Sequence, residues 1–226
     1  NMPVLIERTL PHGILVNRDG KRFCNEAANY SALAGAFHAF DPATYDYSNL
    51  PAYLIFDSQY RERYPLASVM PGDPLPSWVA VANSLEALAE KIGVDARNLP
   101  TTVNRFNNMA DTLDDQDFDR GKTDYDRFYG DRSREGAAAT LGALVKPPFH
   151  AVEIHMGALG TNGGARTNAQ AQILDVDGEP IAGLFGAGNV ISAPTGSVYA
   201  GAGGTLGPAL TFGYLAGRMA AQRVNQ

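Results

Sequence analysis

The residues whose types and spacing most clearly suggest a ligand site lie in a stretch from Pro180 to Gly217. This stretch contains no Asp, Glu, Lys, Arg or His. Four closely spaced glycines in it precede Pro208: Gly201, Gly203, Gly204 and Gly207. Proline suits the first turn of a helix, and glycine lets a backbone come close to a ligand because it has no Cβ. Backbone N–H groups at a helix N-terminus can bind an anion or a partly negative oxygen, so this segment is a candidate ligand site.

The spacing of these glycines leaves two interpretations open. The sequence at 201–207, GAGGTLG, has Leu206 where the dinucleotide fingerprint needs glycine, and no acidic residue follows at the required distance. The GxxxxGK[ST] and GxSxG motifs are also absent. The stretch therefore indicates either a ligand cradle at a helix N-terminus or close packing of a helix on a sheet, with Gly213 and Gly217 at the contact.

Neither a metal site nor a membrane span is predicted. An acidic segment at 111–126 suggests a calcium loop starting at Asp115, but the loop's obligatory glycine is Arg120 and its final glutamate is Asp126. We interpret the segment as a solvated acidic face. The four histidines lack the spacing of zinc ligands, and glycine, proline and polar residues interrupt the uncharged stretch.

Composition narrows the class of ligand. The chain has 226 residues, of which 45% are apolar and 19% charged, and this predicts a folded protein of one large or two small domains. A net charge of −6 argues against nucleic acid or an anionic membrane as partner. The lone Cys24 requires no oxidising compartment and the N-terminus holds no secretion signal, so we expect a cytoplasmic protein that binds a neutral or apolar molecule.

Periodicity and turn residues place these features on elements. Residues 13–23 predict a hairpin around Asp19-Gly20, and Asp177-Gly178 predicts a second one, whose last strand ends at Gly186. Two packing helices are predicted, one capped by Asn83 with Glu86 and ended by Gly93, the other from about Pro100. A last helix is expected from Pro208 to about Val224.

Several segments resemble a known family of flavoproteins. The sequence NRDGKRFCNE at 17–26 resembles the VNRxGxRFxNE segment of flavoproteins related to fumarate reductase and 3-ketosteroid dehydrogenases. Three further segments are similar to the steroid-dehydrogenase branch: LGTNGG at 159–164, GLFGAGN at 183–189 and YAGAGGTLGPALTFGY at 199–214. Together these segments extend over nearly the whole chain.

Two departures from the family pattern change what the resemblance implies about the substrate and about the part of the enzyme that this chain represents. Where fumarate reductase-like members carry an arginine-bearing HGANR segment, this chain has SVYAG at 197–201, so the cationic clamp for a dicarboxylate is missing. Family members also begin with a βαβ unit whose glycine fingerprint holds the FAD pyrophosphate, and this chain has none. The resemblance therefore implies the C-terminal part of a longer flavoenzyme that acts on an apolar ketone rather than on fumarate.

The resemblance implies an α+β fold in two parts: a substrate (catalytic) domain at 1–160 and, at 161–226, the returning segment of an incomplete FAD-binding α/β domain. It also implies roles. Tyr30 matches the tyrosine that takes a proton from substrate carbon 2, and Tyr199 with the Gly203 N–H matches the pair that binds the 3-keto oxygen. The residues expected beside the FAD isoalloxazine are Gly188, Asn189, Gly204, Thr205 and Leu206.

These residue types fit the removal of a proton next to a ketone. Enolate charge grows on the oxygen, and a tyrosine hydroxyl with a backbone N–H stabilises it without a formal charge. We therefore predict FAD-dependent Δ1-dehydrogenation of a 3-ketosteroid. The alternatives are a related flavin dehydrogenase on another ketone, or an inactive substrate-binding or association module without the pyrophosphate site. The expected partners are the steroid, an N-terminal FAD-binding half and, through an exposed apolar surface at 186–207, a second copy of the chain.

Overall fold

The computed structural model describes residues 4–196, 199 and 201–224. The chain separates into two compact units, which divide between Met156 and Gly157. The two are called the N-terminal unit and the C-terminal unit below. Both combine helices with antiparallel strands, as an α+β fold requires.

Over its described residues, 4–156, the N-terminal unit contains six strands and five helices. In chain order they are β1 (Gly13–Val16), α1 (Tyr30–Phe37), β2 (Phe40–Asp41), β3 (Asp46–Tyr47), β4 (Ala52–Phe56), α2 (Ser58–Arg63), β5 (Ala80–Ala82), α3 (Leu85–Ile92), α4 (Asn98–Thr112), α5 (Asp124–Phe128) and β6 (Phe149–Ile154). Short 3-10 turns lie at Glu7–Thr9 and Gly136–Ala139. Four strands form one antiparallel sheet in the order β1-β4-β6-β5, and β2 pairs with β3 in a small separate hairpin.

Both faces of the four-stranded sheet are buried. Because side chains alternate along a strand, Ile14 and Ile55 point to one face, where they pack with the core residues of α3 and α4. Leu15 and Leu54 point to the opposite face, where they pack with residues of α1 and α2. This double burial explains why β1 and β4 read as continuous apolar runs rather than alternating ones.

The two packing helices form close to where the sequence predicts them. Ser84, not Asn83, is the N-cap of α3, since its side chain accepts a hydrogen bond from the Ala87 N–H at 3.2 Å. Gly93 ends α3 in the left-handed conformation, as predicted (φ +74°). Helix α4 begins two residues before Pro100, which therefore still lies in the first turn, where its missing N–H costs no hydrogen bond.

The first predicted hairpin is present in a reduced form. Gly20 adopts a φ of +71°, and the chain returns to pair Arg22 with Val16 through a single antiparallel bridge. The Asn17 carboxamide oxygen accepts hydrogen bonds from the Asp19 and Lys21 N–H groups, which fixes the turn. The Arg22 backbone forms this bridge, while its side chain enters the ion cluster described below.

The C-terminal unit contains the second predicted hairpin and one long helix. Strands β7 (Gln172–Leu174) and β8 (Pro180–Phe185) pair around Asp177-Gly178, and β8 ends one residue before the predicted Gly186. A 3-10 turn at Gly188–Val190 follows. Helix α6 spans Leu206–Val224, so it begins two residues before Pro208 and ends at the predicted residue.

The glycines of α6 do not make the predicted packing contacts. A Cβ added at Gly213 or Gly217 would meet no atom within 4 Å in the described part of the chain. Close contacts occur elsewhere in the C-terminal unit: a Cβ at Gly164 would lie 1.7 Å from the Val190 carbonyl oxygen. Within the described residues, Gly213 and Gly217 therefore make no close packing contact. Among the described residues, no helix is long and apolar enough to span a membrane.

Candidate functional site

A buried ion cluster lies at the centre of the NRDGKRFCNE segment. It consists of Arg22, Glu26, Asp115 and Arg120, all with side chains at most 3% exposed. Arg22 donates to Glu26 through Nε (2.9 Å) and Nη2 (2.8 Å), and to Asp115 through Nη1 (3.0 Å) and Nη2 (2.8 Å). Arg120 donates to Glu26 at 3.1 Å, so two arginines and two carboxylates balance in charge.

The electrostatics of the cluster keep both carboxylates ionised. Burial alone would raise the pKa of Glu26, but Arg22 and Arg120 outweigh it and hold that pKa below its ordinary value. Burial likewise opposes ionisation of Asp115, and hydrogen bonds from Arg22 hold its pKa below the ordinary value. Breaking one member would leave its partner as an uncompensated buried charge, which is strongly destabilising.

The acidic segment at 111–126 is not a uniformly solvated face. Asp115 is fully buried in the ion cluster, and Asp126 is buried as well. The Asp126 carboxylate accepts hydrogen bonds from Gly121 N–H (3.0 Å), Thr123 Oγ1 (2.8 Å) and Asn25 Nδ2 (3.1 Å). The predicted solvated face is thus wrong at these two positions, where Arg22 and Asn25, both distant in sequence, donate hydrogen bonds to the buried carboxylates.

The ion cluster fixes the backbone that leads to Tyr30. Glu26 accepts a hydrogen bond from the Leu15 N–H at 3.1 Å and so joins this segment to β1. The buried Arg8 guanidinium donates to the carbonyl oxygens of Glu26 and, at 2.9 Å, Ala28. Asn29 then caps α1 by accepting from the Ser31 N–H at 2.7 Å. Tyr30 is the first residue of α1 and is 37% exposed.

In the C-terminal unit, the predicted flavin-contacting residues lie on two segments that pack together. The turn at Gly188–Val190 packs on α6, and a Cβ at Gly188 would lie 3.4 Å from the Ala209 Cβ. Thr205 and Leu206 lie at the start of α6 and are exposed. Gly204 closes the preceding turn by donating its N–H to the Gly201 carbonyl oxygen at 2.9 Å.

The ketone-binding candidates of the C-terminal unit lie just before α6. Tyr199 is partly buried, and Gly203 has a φ of +85° with no described atom within 4 Å of a would-be Cβ. Three residues of the segment that replaces the family's arginine-bearing one, at 197, 198 and 200, lie outside the described residues. Tyr30 belongs to the N-terminal unit and Tyr199 to the C-terminal unit, so the roles of both remain predictions.

The residues before α6 fit the uncharged, carbonyl-bearing edge of a flavin. Gly201 and Gly203 both adopt positive φ values with open space in front of the backbone. Helix α6 follows directly, and at its start the Gly207 N–H donates to the Gly203 carbonyl oxygen at 2.7 Å and the Ala209 N–H to the Thr205 carbonyl oxygen at 3.3 Å, while Pro208 has no N–H. A backbone cradle at a helix N-terminus can donate hydrogen bonds to carbonyl oxygens without a charged side chain.

Sequence reasoning missed the ion cluster. In the sequence, Arg22 and Glu26 stand out only as part of the family segment, and the acidic segment around Asp115 predicts a solvated face. The partners Arg22 and Asp115 are 93 positions apart, and Glu26 and Arg120 are 94 positions apart, so no local spacing signals the pairing. The one available signal was the arginine inside the acidic segment, at the position that a calcium loop would give to glycine.

Comparison with known proteins identifies relatives over almost the whole chain. The family model described as FAD binding domain matches residues 3–206. A 4-oxocyclohexanecarboxylate 2-dehydrogenase from Sinomonas cyclohexanicum is 48% identical over 94% of this chain and 37% of its own length. A 3-oxosteroid 1-dehydrogenase from Mycolicibacterium smegmatis is 43% identical over 94% of this chain and 38% of its own length. The chain thus spans about two fifths of the length of these curated relatives.

Solved structures agree with the sequence relatives. The 3-ketosteroid Δ1-dehydrogenase from Sterolibacterium denitrificans, in complex with 1,4-androstadiene-3,17-dione, matches with a TM-score of 0.88 and 39% identity over 98% of this chain and 41% of that chain. An open flavocytochrome c3 fumarate reductase matches with a TM-score of 0.62 and 26% identity over 98% of this chain and 34% of that chain. The α+β fold and the family resemblance are confirmed, and this chain belongs to the FAD-binding flavoproteins of the fumarate reductase and 3-ketosteroid dehydrogenase family.

Proposed function

We propose that this chain supplies the ketone-binding region, and part of the flavin-binding region, of an FAD-dependent dehydrogenase. The substrate is a 3-ketosteroid, and the reaction introduces a double bond between carbons 1 and 2 of its A ring. The observation that carries the proposal is the match, at 39% identity and a TM-score of 0.88, to a steroid-bound Δ1-dehydrogenase over 98% of this chain. The uncharged character of 180–217 supports a neutral ligand.

The proposed mechanism assigns the proton transfer to Tyr30. Its hydroxyl takes the proton from carbon 2, beside the ketone, and the buried segment that precedes α1 orients it. A free tyrosine has a pKa of about 10, so its hydroxyl must pass its own proton on as it accepts the substrate's. When bound, FAD supplies the acceptor for the hydride that leaves carbon 1.

Tyr199 and Gly203 are assigned to the ketone oxygen. The Tyr199 hydroxyl and the Gly203 N–H each donate a hydrogen bond to it, and these bonds strengthen as enolate charge grows. The open space beside Gly203 supports this role, since glycine has no Cβ and no described atom lies within 4 Å of where one would be. Loss of one such donor typically costs about 10²–10³-fold in turnover.

Five residues are proposed to lie against the flavin ring: Gly188, Asn189, Gly204, Thr205 and Leu206. The packing of the Gly188–Val190 turn on α6 supports placing them in one site. Three exposed apolar residues follow the same face of α6: Leu206, Leu210 and Tyr214. We propose that this face packs on an N-terminal FAD-binding part, whose pyrophosphate-binding unit the chain itself does not contain. A second copy of the chain is the alternative partner.

A second candidate substrate is a single-ring ketone that carries a carboxylate. The 48% identity to a 4-oxocyclohexanecarboxylate 2-dehydrogenase favours it. The chemistry at the reacting carbons would be the same, because both substrates lose a proton next to a ring ketone. A carboxylate would need a cation in the site, whereas a steroid needs an extended apolar surface.

The proposal is tested by visible absorbance of the purified protein before and after addition of FAD, followed by titration with 4-androstene-3,17-dione. We expect a bound flavin band that bleaches with the steroid once the chain is combined with an N-terminal FAD-binding part, and a colourless protein when the chain is purified alone. Bleaching with 4-oxocyclohexanecarboxylate alone would favour the second substrate, and a protein that binds neither flavin nor ketone would favour a non-catalytic module. Tyr199→Phe should abolish bleaching, and Tyr45→Phe, on the exposed β2–β3 hairpin, serves as the matched control.

A further inference from the structure

Arg8 is a buried residue whose guanidinium binds main-chain oxygens. It is 7% exposed, and its Nη1 donates hydrogen bonds to the carbonyl oxygens of Glu26 and, at 2.9 Å, Ala28. Burial lowers the pKa of Arg8, so the fold holds this cation at a cost in free energy. Both of its acceptors lie within four residues of Tyr30, so the charge is placed on the segment that leads to this tyrosine.

The turn that carries Arg8 is itself fixed to the rest of the N-terminal unit. Thr9 Oγ1 donates a hydrogen bond to the Tyr129 carbonyl oxygen at 2.7 Å, and the Tyr60 hydroxyl donates to the Glu7 carbonyl oxygen at 3.0 Å. Thr9 and Tyr60 are both buried. Because the residues on both sides of Arg8 are held, its guanidinium provides a fixed point for the main chain that it binds.

Arg8 continues the anchoring of this segment beyond the ion cluster. The ion cluster holds the side chain of Glu26. Arg8 binds the carbonyl oxygen of the same residue and that of Ala28, two residues further along the chain. Ala28 directly precedes Asn29, which caps α1 by accepting a hydrogen bond from the Ser31 N–H at 2.7 Å. The guanidinium thus fixes the position at which α1 begins.

The start of α1 sets the direction of the Tyr30 side chain. Tyr30, Leu33 and Phe37 are spaced by three and four residues, so they lie on one face of the helix. Leu33 and Phe37 are buried in the core beside Leu15 and Leu54, whereas Tyr30 is 37% exposed. Tyr30 therefore lies at the end of a buried helix face, and a shift of the first turn of α1 would move its hydroxyl.

We propose that Arg8 is a positioning residue for proton removal by Tyr30. The inference rests on the proposed function and deepens it, since it assigns the accuracy of the proton transfer to a side chain that acts through the main chain. Arg8 holds the carbonyl oxygens of Glu26 and Ala28, so that the Tyr30 hydroxyl stays within reach of carbon 2. Loss of these two hydrogen bonds lets the segment shift, and a misplacement of about 1 Å can lower a rate about 10²-fold.

The test measures flavin bleaching by 4-androstene-3,17-dione, without oxygen, in the chain combined with an N-terminal FAD-binding part. Arg8→Met should lower the bleaching rate at saturating steroid about 10²-fold, while the half-saturating steroid concentration changes less than about three-fold. Arg8→Lys keeps a cation that can donate to a carbonyl oxygen, so it should recover part of the rate. Because proton removal becomes slower relative to hydride transfer, deuterium at carbon 2 should slow Arg8→Met more than the wild type.

Arg61→Met is the matched control for the loss of a buried arginine. Arg61 is 9% exposed, and its guanidinium also donates to a main-chain oxygen, that of Asp73, at 2.7 Å. Asp73 is not part of the segment before α1. Arg61→Met should therefore lower the free energy of unfolding, measured in urea, as Arg8→Met does, but leave the bleaching rate unchanged. A rate lost in only one of these variants separates positioning from general stability.

The outcomes separate this inference from the function on which it rests. A wild-type complex that does not bleach would overturn both. A wild-type complex that bleaches, with Arg8→Met slowed no more than Arg61→Met, would overturn the role of Arg8 alone, and Arg8→Lys serves for the same comparison where Arg8→Met does not fold.

Hydrogen exchange in the chain by itself provides a second measurement that needs no flavin. The Ala32 and Leu33 N–H groups donate to the Asn29 carbonyl oxygen at 3.0 and 3.1 Å and so report on the first turn of α1. Both amides should exchange faster in the Arg8 variants than in Arg61→Met. Equal exchange in all of these variants would contradict the proposal.

Discussion

Arg22 and Asp115 are 93 positions apart in sequence and are joined by two parallel hydrogen bonds of 3.0 and 2.8 Å. The Arg22 guanidinium also stacks on two aromatic rings, with centroids 4.9 Å away at Phe106 and 5.1 Å away at Phe118. The pair connects the Asp-rich loop after α4 to the turn after β1. It therefore holds these two segments together.

Asp115→Ala is expected to destabilise the protein strongly. It leaves Arg22 with a buried charge that Glu26 compensates only in part, and breaking a buried pair typically costs about 3–5 kcal/mol in the free energy of unfolding. Urea denaturation followed by circular dichroism measures the loss. Asp117→Ala is the matched control, because its partner Arg105 is exposed and such pairs contribute little. Equal effects of the two substitutions would contradict a central role for the ion cluster.

Stability should fall when acid protonates the ion cluster. The folded-state pKa values of Glu26 and Asp115 lie below their ordinary values, so their contribution is complete above an unfolded-state pKa of about 4. It is lost as the pH falls through the folded-state values. Denaturation at pH 7, 5, 4 and 3 should show this decline. Glu26→Gln should be less stable at pH 7 and show a shallower decline, whereas a decline parallel to the wild type would contradict the assignment.

Local sequence signals predict helices, strands and turns, but they do not predict contacts between residues that are distant in sequence. The apolar periodicity and Gly93 predict helix α3, and Asp177-Gly178 predicts the β7–β8 hairpin. Each of these signals lies within or beside the element that it predicts. The burial of Asp115 could not be predicted in this way, because only the tertiary fold brings its partner Arg22 close to it. The residues assigned to ketone and flavin came from family resemblance, since neither tyrosine carries a local pattern of its own.

His150 should make the protein less stable in mild acid. Its ring stacks on Phe56 with a centroid separation of 5.0 Å and an angle of 9°, and its buried Nδ1 has no hydrogen-bond partner in the described structure. Burial lowers the pKa of His150, so the fold favours the neutral ring, and stability is lost as the pH falls below the unfolded-state value of about 6.5. Burial also lowers the pKa of His12, so the fold favours the neutral form of that ring as well.

His150→Phe should keep the stacked ring and remove this histidine's share of the pH dependence. The free energy of unfolding, measured between pH 7.5 and 5.5, should then decline less than in the wild type. An unchanged decline in His150→Phe would show that His150 is protonated as easily in the folded state as in the unfolded one.

Two glycine substitutions should act in opposite directions within the C-terminal unit. A Cβ at Gly164 would lie 1.7 Å from the Val190 carbonyl oxygen, beside the parallel bridge between Ala165 and Ile191. Gly164→Ala must displace that backbone, and such overpacking costs about 1–3 kcal/mol. Gly213→Ala meets no described atom within 4 Å and sits inside α6, where alanine is better than glycine by about 0.5–1 kcal/mol.

Hydrogen exchange of the β7–β8 and α6 amides measures both effects. Protection should fall in Gly164→Ala and rise along α6 in Gly213→Ala. A loss of protection in Gly213→Ala would mean that this glycine does contact a neighbouring backbone, and would restore the packing explanation for the glycine-dense stretch. The expected gain would instead show that Gly213 has no packing role, whereas Gly201 and Gly203 ahead of α6 are suited to their positive φ values of +99° and +85°.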